Sequence, residues 1–322
     1  FCLFGHSQEI LNTTTFLFEM PARQKIIQKV IAEDKLFEKK RVREFASSFL
    51  GELPHEDMKN IPYPDLARAV LDHWGLFASR KSGDIKVEMG VETISRKSVN
   101  RSKTVINIVS DDMAFTINSV SSELTKLGFK MDRFLHPRVL TEADKKKAEK
   151  KGTPRPGTSH LHIVLDSLLV KEDRAELKNT LLSILKDVQL ANQDWLKMRD
   201  VLKQTMDAMH VNEQRFSKQV VQEHINFLKY LYEDNFTLLA SCEFNLKNDS
   251  PKPAKTTGLF RKKYDGGFLD LEKEGIPFWK SPGNPRNSPL IVTKLRELAT
   301  VHRVVPMDAV SVILYDRKGK TE

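Results

Sequence analysis

The sequence predicts an α+β protein whose central region is a mainly antiparallel sheet with two helices on one side. A short β-branched run at Val105–Val109 leads into a helical pattern and then into a second extended segment, which together form a β-α-β unit. A strand pattern at residues 160–166 precedes a second helical pattern, whose apolar residues recur at steps of three and four: Leu177, Leu181, Ile184, Val188, Ala191 and Trp195. With a further strand at 84–91, the order is β-β-α-β-β-α, and both helices are expected to cover one face of the sheet.

The first of these helices is expected to begin near Met113, directly after Ser110-Asp111-Asp112. Serine and aspartate accept hydrogen bonds from the free N–H groups at a helix start, so these residues are interpreted either as caps alone or as caps that also contact a ligand. Gly128 suits the left-handed residue that ends a helix, and the next strand is predicted at 129–136. The apolar stripe of the helix is Met113, Ile117, Val120, Leu124 and Leu127.

The flanking regions predict helices before this sheet and a mostly β domain after it. Apolar residues at helical spacing between positions 22 and 50, and a second helix from Pro64, form a helical lead-in. Residues 195–235 continue as helices, and from Phe236 the apolar period changes to two. Further strands are predicted at 258–264, 289–294, 301–305 and 308–315.

These patterns divide the chain into five segments. Because the chain does not start with Met and Met20 opens the first helical pattern, residues 1–19 are interpreted as a non-native or upstream extension. The other segments are a helical lead-in at 20–83, the α+β domain at 84–195, linker helices at 196–235 and a smaller, mostly β domain at 236–322.

Composition favours an ordinary globular protein in a reducing compartment. The formal charge of +9 arises from interleaved acidic and basic residues, which gives no basic face for nucleic acid. Cys2 and Cys242 form neither a disulfide framework nor a zinc-binding spacing. No signal peptide or membrane span is evident, so we expect a cytoplasmic protein without a membrane partner. The lysine-rich stretch 144–158 is interpreted as a solvated loop, with an anion-binding patch as the alternative.

The common catalytic and phosphate-binding motifs do not occur in the sequence. There is no G-x-G-x-x-G, P-loop, G-x-S-x-G or H-E-x-x-H pattern. His160 and His162 point to the same side of a strand, as two metal ligands would, but a third ligand is not evident. We therefore predict no catalytic, cofactor-binding or metal-binding residues in this chain.

Four strings in the same order resemble the N-terminal region of the large multidomain NAD-dependent glutamate dehydrogenases. They are IVSDDMAFTINSVSSEL with HPRV after it, HLHIVLD, FLKYLYEDNFTLLASCEFNL, and PLIVTKLRELATVHRVVPMDAVSVILYDRKG. The resemblance implies an ACT-like, ferredoxin-like domain at 84–195 and a PAS-like domain at 236–322. An ACT module is βαββαβ, and no strand follows the helix near Trp195, so the strand at 84–91 is expected to complete the sheet instead.

The resemblance also implies a function. The chain would be a regulatory and assembly fragment of an enzyme that converts glutamate and NAD into 2-oxoglutarate and ammonium. NAD and the catalytic domain would belong to the rest of the polypeptide, so the fragment alone is expected to be inactive and to hold no cofactor. Its expected partners are that downstream domain, an amino-acid effector and further copies of the protein.

Two groups of residues are candidate functional sites. If an amino-acid effector binds, charge places it at the junction of the first strand and helix, where aspartates would hold its ammonium group and N–H groups its carboxylate. The residues of this junction are Ser110, Asp111, Asp112, Met113, Asn118 and Ser119. A second polar set in the later domain is interpreted as interdomain rather than catalytic: Thr293, Lys294, His302 and Arg303.

Two other functional classes fit the sequence less well. One is a stand-alone amino-acid-sensing or interaction module with no enzyme attached. The other is a ferredoxin-like RNA binder, which needs aromatic residues on the central strands to stack bases. The strands at 104–109 and 160–166 contain no aromatic residue.

Overall fold

The computed structural model describes residues 2–3, 20–96, 99–140, 157–247, 250–261 and 288–315. The chain forms two compact units. Unit 1 comprises Phe1–Glu9 with Asp187–Glu322, and unit 2 comprises Ile10–Lys186. The expected extension 1–19 and the lysine-rich loop 144–158 lie almost wholly outside the described residues.

Unit 2 contains a five-stranded antiparallel sheet. Its strands are β2 (Lys86–Arg96), β3 (Val99–Asp111), β4 (Met131–Leu135), β5 (Arg138–Val139) and β6 (Thr158–Leu165). Four of them lie in the order β2-β3-β6-β4, and β5 pairs with β6 beyond β4. Because β6 is antiparallel to both β3 and β4, those two strands run parallel with β6 between them, as in the split β-α-β unit of ferredoxin-like folds.

The outer strand β2 comes from the segment upstream of the β-α-β unit. It pairs with β3 along its whole length, from Lys86 opposite Val109 to Arg96 opposite Val99. The expectation that this segment completes the sheet is therefore confirmed. The result is an α+β fold with an antiparallel sheet, consistent with an ACT-like domain.

Two helices cover one face of this sheet. They are α5 (Thr116–Lys126) and the first part of α6 (Lys171–Ala208). Alternate residues of the central strands supply the sheet side of this core, because successive side chains of a strand point to opposite faces. The core consists of Val87, Ile106, Ile108, Val120, Leu124, Leu161, Ile163, Leu165, Leu177, Leu181 and Leu185.

Four helices of the lead-in form a second large apolar cluster of unit 2. They are α1 (Met20–Ala32), α2 (Lys40–Gly51), α3 (His55–Met58) and α4 (Tyr63–Ala78). Their buried residues, among them Phe45, Phe49 and Val70, pack together with Leu135 and Val139 of the sheet. The lead-in is thus part of the same compact unit as the sheet, whose second face it covers.

Unit 1 contains the rest of α6, α7 (Lys218–Tyr230) and two small sheets. The hairpin of β7 (Ala240–Lys247) and β8 (Ser250–Gly258) forms one of them. In the other, β10 (Pro306–Val312) pairs with β9 (Leu290–Leu298) and with the two-residue β1 (Cys2–Leu3). A short π-helix, Leu231–Asn235, follows α7, and 3-10 turns lie at Lys35–Glu38, Met209–Gln214 and Leu259–Arg261.

Three local expectations were wrong. Helix α5 begins at Thr116, not near Met113, because β3 continues through Asp111, which pairs with Thr158. Of the predicted strand 258–264, residues 258–261 are the end of β8 and a 3-10 turn, since Gly258 adopts a left-handed φ of 59°, while residues 262–264 lie outside the described residues. Residues 301–305 are a bend in which His302 has a φ of 73°, and Ala299 N–H donates to the Val305 carbonyl across it.

Helix α6 also runs past the predicted domain boundary at 195/196. It is continuous over Lys171–Ala208, while the division between the two units falls at 186/187. The predicted segment boundaries stay a prediction. Within the described ranges, no helix combines the length and the apolar character that crossing a bilayer requires.

The central position of β6 predicts a large effect of truncating one of its buried residues. Leu161 is fully buried between the sheet and its helices, so Leu161→Ala should destabilise unit 2 by about 2–5 kcal/mol through lost contacts and a residual cavity. Leu168→Ala is the control, since Leu168 is 53% exposed and should contribute within about 0.5 kcal/mol. Hydrogen exchange of the β3 and β6 amide groups measures both. Equal protection in the two variants would contradict this packing.

Candidate functional site

A cleft of about 390 Å³ lies within unit 2, between α4 and the second face of the sheet. This volume is at the lower end of the range of about 300–1,000 Å³ found for small-molecule sites. Its polar lining comes from one helix and three strands: Arg68, Asp72, Glu88, Glu92, Asn107 and His162. The strand residues face α4 because their neighbours, such as Ile106 and Ile163, point to the opposite face.

Two buried cross-strand partners line the cleft. Asn107 of β3 lies directly opposite His162 of β6, and His162 Nδ1 is 2.8 Å from Asn107 Oδ1. An amide oxygen only accepts hydrogen bonds, so His162 donates from Nδ1, and Nε2 of the neutral ring carries a lone pair. His162 is only 2% exposed, and its Nε2 has no hydrogen-bond partner.

A buried chain of imidazoles extends from this position toward the end of β6. His73 Nδ1 lies 3.2 Å from His160 Nδ1, and His160 Nε2 lies 2.9 Å from Thr158 Oγ1. The Thr158 hydroxyl in turn donates to the Val139 carbonyl, so His160 donates from Nε2 and accepts from His73. Phe45 and Phe49 of the lead-in pack edge-on against the His160 ring. The helices therefore enclose three neutral histidines.

Burial determines the protonation of this cluster. It lowers the pKa of His73 to about 3, although the Asn107 amide partly opposes the shift. Burial also lowers the pKa of His160 and of His162 well below the usual range for imidazole, and the neighbouring His73 adds to the effect. All three rings are neutral at physiological pH.

A chain of charged side chains extends from Glu92, which lines the cleft. Arg133 Nη1 donates to Glu92 Oε1 at 3.4 Å, and Arg133 Nη2 lies 4.0 Å from Asp65 Oδ2. The second carboxylate oxygen of Glu92, Oε2, is 4.0 Å from His162 Nε2. Burial raises the pKa of Glu92, and the positive charge of Arg133 opposes that shift.

The mouth of the cleft carries exposed charges. Arg68 and Asp72 lie one helical turn apart on α4, and both residues are exposed. Partial burial of the Asp72 carboxyl at the cleft wall raises its pKa, and Arg68 and the Asn107 amide oppose the shift. Glu88 on the other rim is paired with Lys178 Nζ at 3.2 Å. The cleft thus combines buried acceptors with one arginine at its entrance.

Sequence comparison identifies the surrounding domain. The family model for the glutamate dehydrogenase ACT1 domain matches residues 45–181. An NAD-specific glutamate dehydrogenase of Halomonas elongata is 24% identical over 313 residues, which cover 91% of this chain and 19% of that protein. One of Pseudomonas aeruginosa is 21% identical over 293 residues, which cover 86% of this chain and 18% of the relative.

Residues 45–181 thus resemble the ACT1 domain of glutamate dehydrogenase, and most of the chain resembles part of the NAD-specific glutamate dehydrogenases. It spans about a fifth of the length of the curated relatives that it matches. The ACT1 match begins in α2 and includes α4 and the whole sheet of unit 2, so the glutamate dehydrogenase ACT1 region contains the cleft.

The predicted effector residues lie around the end of β3 and the start of α5, but protein groups already pair both of their aspartates. The Asp111 carboxylate accepts hydrogen bonds from the Arg80 guanidinium and from Gly83 N–H. Asp112 Oδ2 lies 3.4 Å from Arg138 Nη1, and Ser110 Oγ donates to the Asp111 carbonyl. Asp111 pairs with Thr158 in the sheet, so it extends β3 instead of capping α5.

The remaining effector candidates lie around the start of α5. Met113 accepts a hydrogen bond from Thr116 Oγ1 at its carbonyl, and Phe115, at the N-cap position, has a left-handed φ of 69°. Asn118 and Ser119 follow in the first turn of the helix. Effector binding at this junction stays a prediction.

The second predicted set lies within unit 1, around β9, β10 and the bend between them. Lys294 Nζ is 2.7 Å from Asp308 Oδ1 on the neighbouring strand, and Thr293 pairs with Ala309. His302 is buried in the bend, and Arg303 N–H donates to the Val301 carbonyl. The interdomain role of these residues stays a prediction.

Sequence reasoning missed the cleft, although its residues left a signal. Polar residues occupy alternate positions of otherwise apolar strands, namely Asn107, Arg133, His160 and His162. Such a face is buried only where a further element supplies polar partners. Within the described ranges, no group of three or more His, Cys, Asp or Glu side chains is placed to hold a metal ion.

The neutral histidines predict a loss of stability in acid. The pKa of His73 is about 3 in the folded chain and about 6.5 when unfolded, so its contribution is complete above pH 6.5 and is lost as pH falls toward 3. His160 and His162 act in the same direction. Within this window, His73 alone should remove about 1.4 kcal/mol per pH unit.

A variant tests whether His73 is neutral in the folded chain. His73→Leu should reduce the slope of stability against pH by one proton, whereas His210→Gln, a substitution outside unit 2, should leave the slope for the β6 amide groups unchanged. Hydrogen exchange of the β6 amide groups, corrected for the intrinsic pH dependence of exchange, measures the slope. The same slope in His73→Leu and in the unmodified chain would refute the neutral cluster.

Proposed function

We propose that this chain is a regulatory and assembly segment of a large NAD-dependent glutamate dehydrogenase. The observation that carries the proposal is the match of residues 45–181 to the glutamate dehydrogenase ACT1 domain. The two relatives are named as NAD-specific glutamate dehydrogenases, and each is matched over less than a fifth of its length. A match of this extent fits a segment that accompanies a catalytic domain.

In this proposal, the reaction itself belongs to another part of the polypeptide. The parent enzyme would convert glutamate and NAD into 2-oxoglutarate and ammonium. The chain contains neither of the common glycine-rich phosphate-binding motifs, G-x-G-x-x-G and the P-loop, which fits binding of NAD outside it. Its partners would be the catalytic domain, further copies of the enzyme and an amino-acid effector, in a cytoplasmic protein without nucleic-acid or membrane partners.

The second part of the segment would be PAS-like. Unit 1 supports this with a two-stranded hairpin and a three-stranded antiparallel sheet, accompanied by α7. Its described apolar core joins helical residues such as Leu202 and Leu228 with Leu290 and Val310 of the sheet. Helices packed on an antiparallel sheet are a general α+β arrangement, and a PAS-like module would be one example of it.

Enzyme assays test whether the catalytic groups lie outside this chain. The isolated chain should neither reduce NAD in the presence of glutamate nor bind NAD in a calorimetric titration, because the reacting groups lie outside it. The control is the full-length enzyme, assayed with the same substrates. Glutamate turnover by the isolated chain would overturn the proposal.

The reading frame of the gene distinguishes a regulatory segment from a stand-alone sensing module. A dehydrogenase frame that continues beyond the codon for Glu322 is the expected result. A stop codon directly after it, with no catalytic frame downstream, would favour the stand-alone module instead.

A further inference from the structure

Two acceptors face each other in the cleft without a donor between them. Glu92 Oε2 and His162 Nε2 are 4.0 Å apart, which is too long for a hydrogen bond. The lone pair of Nε2 points away from Asn107, since Nδ1 makes that bond. A buried acceptor without a partner is unfavourable, so the pair favours a ligand that brings a hydrogen-bond donor.

The distance between the two acceptors suits a single bridging donor atom. Glu92 Oε2 and His162 Nε2 are 4.0 Å apart, so one donor nitrogen fits between them at about 2.8 Å from each. It then forms two ordinary hydrogen bonds. A primary ammonium group has three N–H donors and a positive charge. It therefore satisfies His162 Nε2 and at the same time pairs with the Glu92 carboxylate.

An arginine, whose charge is opposite to that of Glu92, lies at the entrance of the cleft. Arg68 is exposed on α4, and its charge acts on both Glu92 and Asp72. Arginine binds carboxylates in a bidentate manner. A ligand with an ammonium group at the buried end of the cleft and a carboxylate at its entrance is a zwitterion.

We propose that this cleft binds a small α-amino acid, with its ammonium group between Glu92 and His162 and its carboxylate at Arg68. The inference rests on the proposed regulatory function and names the site at which the effector binds. The cleft differs from the β3–α5 junction, where Arg80, Gly83 and Arg138 already bind both aspartate carboxylates. It also connects the ligand to α4, because helix and sheet each supply part of the lining.

Calorimetric titration of the chain with the twenty standard L-amino acids tests this site. At least one of them should bind, and Glu92→Gln should weaken that binding about tenfold or more, since it removes a buried charge partner. Arg68→Gln should also weaken it, yet leave the affinity for the corresponding decarboxylated amine unchanged. A purely structural role of Arg68 would not produce that difference.

Two further variants serve as comparisons. Arg41→Gln changes an exposed arginine of α2 outside the cleft and should retain full affinity. Asp112→Asn should also retain it, because the cleft does not include the β3–α5 junction. Loss of binding in Asp112→Asn, with unchanged binding in the cleft variants, would place the effector at the junction and overturn the inference.

A spectroscopic measurement covers the case that Glu92→Gln does not fold, since its partner Arg133 is buried. In the chain labelled with ¹⁵N-histidine, the bound amino acid should shift the Nε2 resonance of His162, which gains a hydrogen bond. An unchanged resonance at saturation would refute the proposed contact.

The outcomes separate this inference from the proposed function. Binding that all cleft variants preserve overturns the site and leaves an amino-acid-regulated segment intact. No binding by any of the twenty amino acids overturns the site as well, while the reading frame beyond Glu322 decides independently whether the chain is a dehydrogenase segment.

Discussion

The antiparallel pairing of β3 with β6 is the constraint on which the rest of unit 2 depends. The register places Asn107 opposite His162 and Ile106 opposite Ile163. Because side chains alternate along a strand, this register creates an apolar face for α5 and α6 and a polar face for the lead-in helices. A shift by one residue would exchange the two faces and expose the apolar core.

The polar face explains why the lead-in helices are an integral part of the unit. A sheet face with histidine, asparagine and arginine is stable in a buried position only if each polar group has a partner or is neutral. The lead-in provides these conditions through His73, Asp65 and the aromatic rings around His160. The same helices leave space beside Glu92, and the cleft is the result.

The sequence predicted local elements well wherever one periodicity dominates. The alternation of Leu161 and Ile163 with His160 and His162 assigned the two faces of β6 correctly, and the spacing of Val120 and Leu124 located the buried side of α5.

The predictions failed where contacts between residues far apart in the sequence determine the structure. Asp111 looked like a cap because Arg80 and Gly83, which bind its carboxylate, are about thirty positions away. The apolar run at 301–305 looked like a strand, yet the chain must reverse there to pair β9 with β10. The cleft was missed for the same reason, since Asn107 and His162 meet only across the sheet.

The position of β2 in the chain has a consequence for folding. In the regular βαββαβ order, the last strand of the domain pairs with the first strand. The rest of the domain lies between these two strands in the sequence, so the entropy of closing this large loop opposes their pairing. Here the same neighbour precedes β3 and is separated from it by residues 97–98 alone. The pairing becomes a local hairpin with low contact order, a kind of contact that forms early. During synthesis this hairpin leaves the ribosome before β6 exists, and it can then serve as the template on which the central strand assembles.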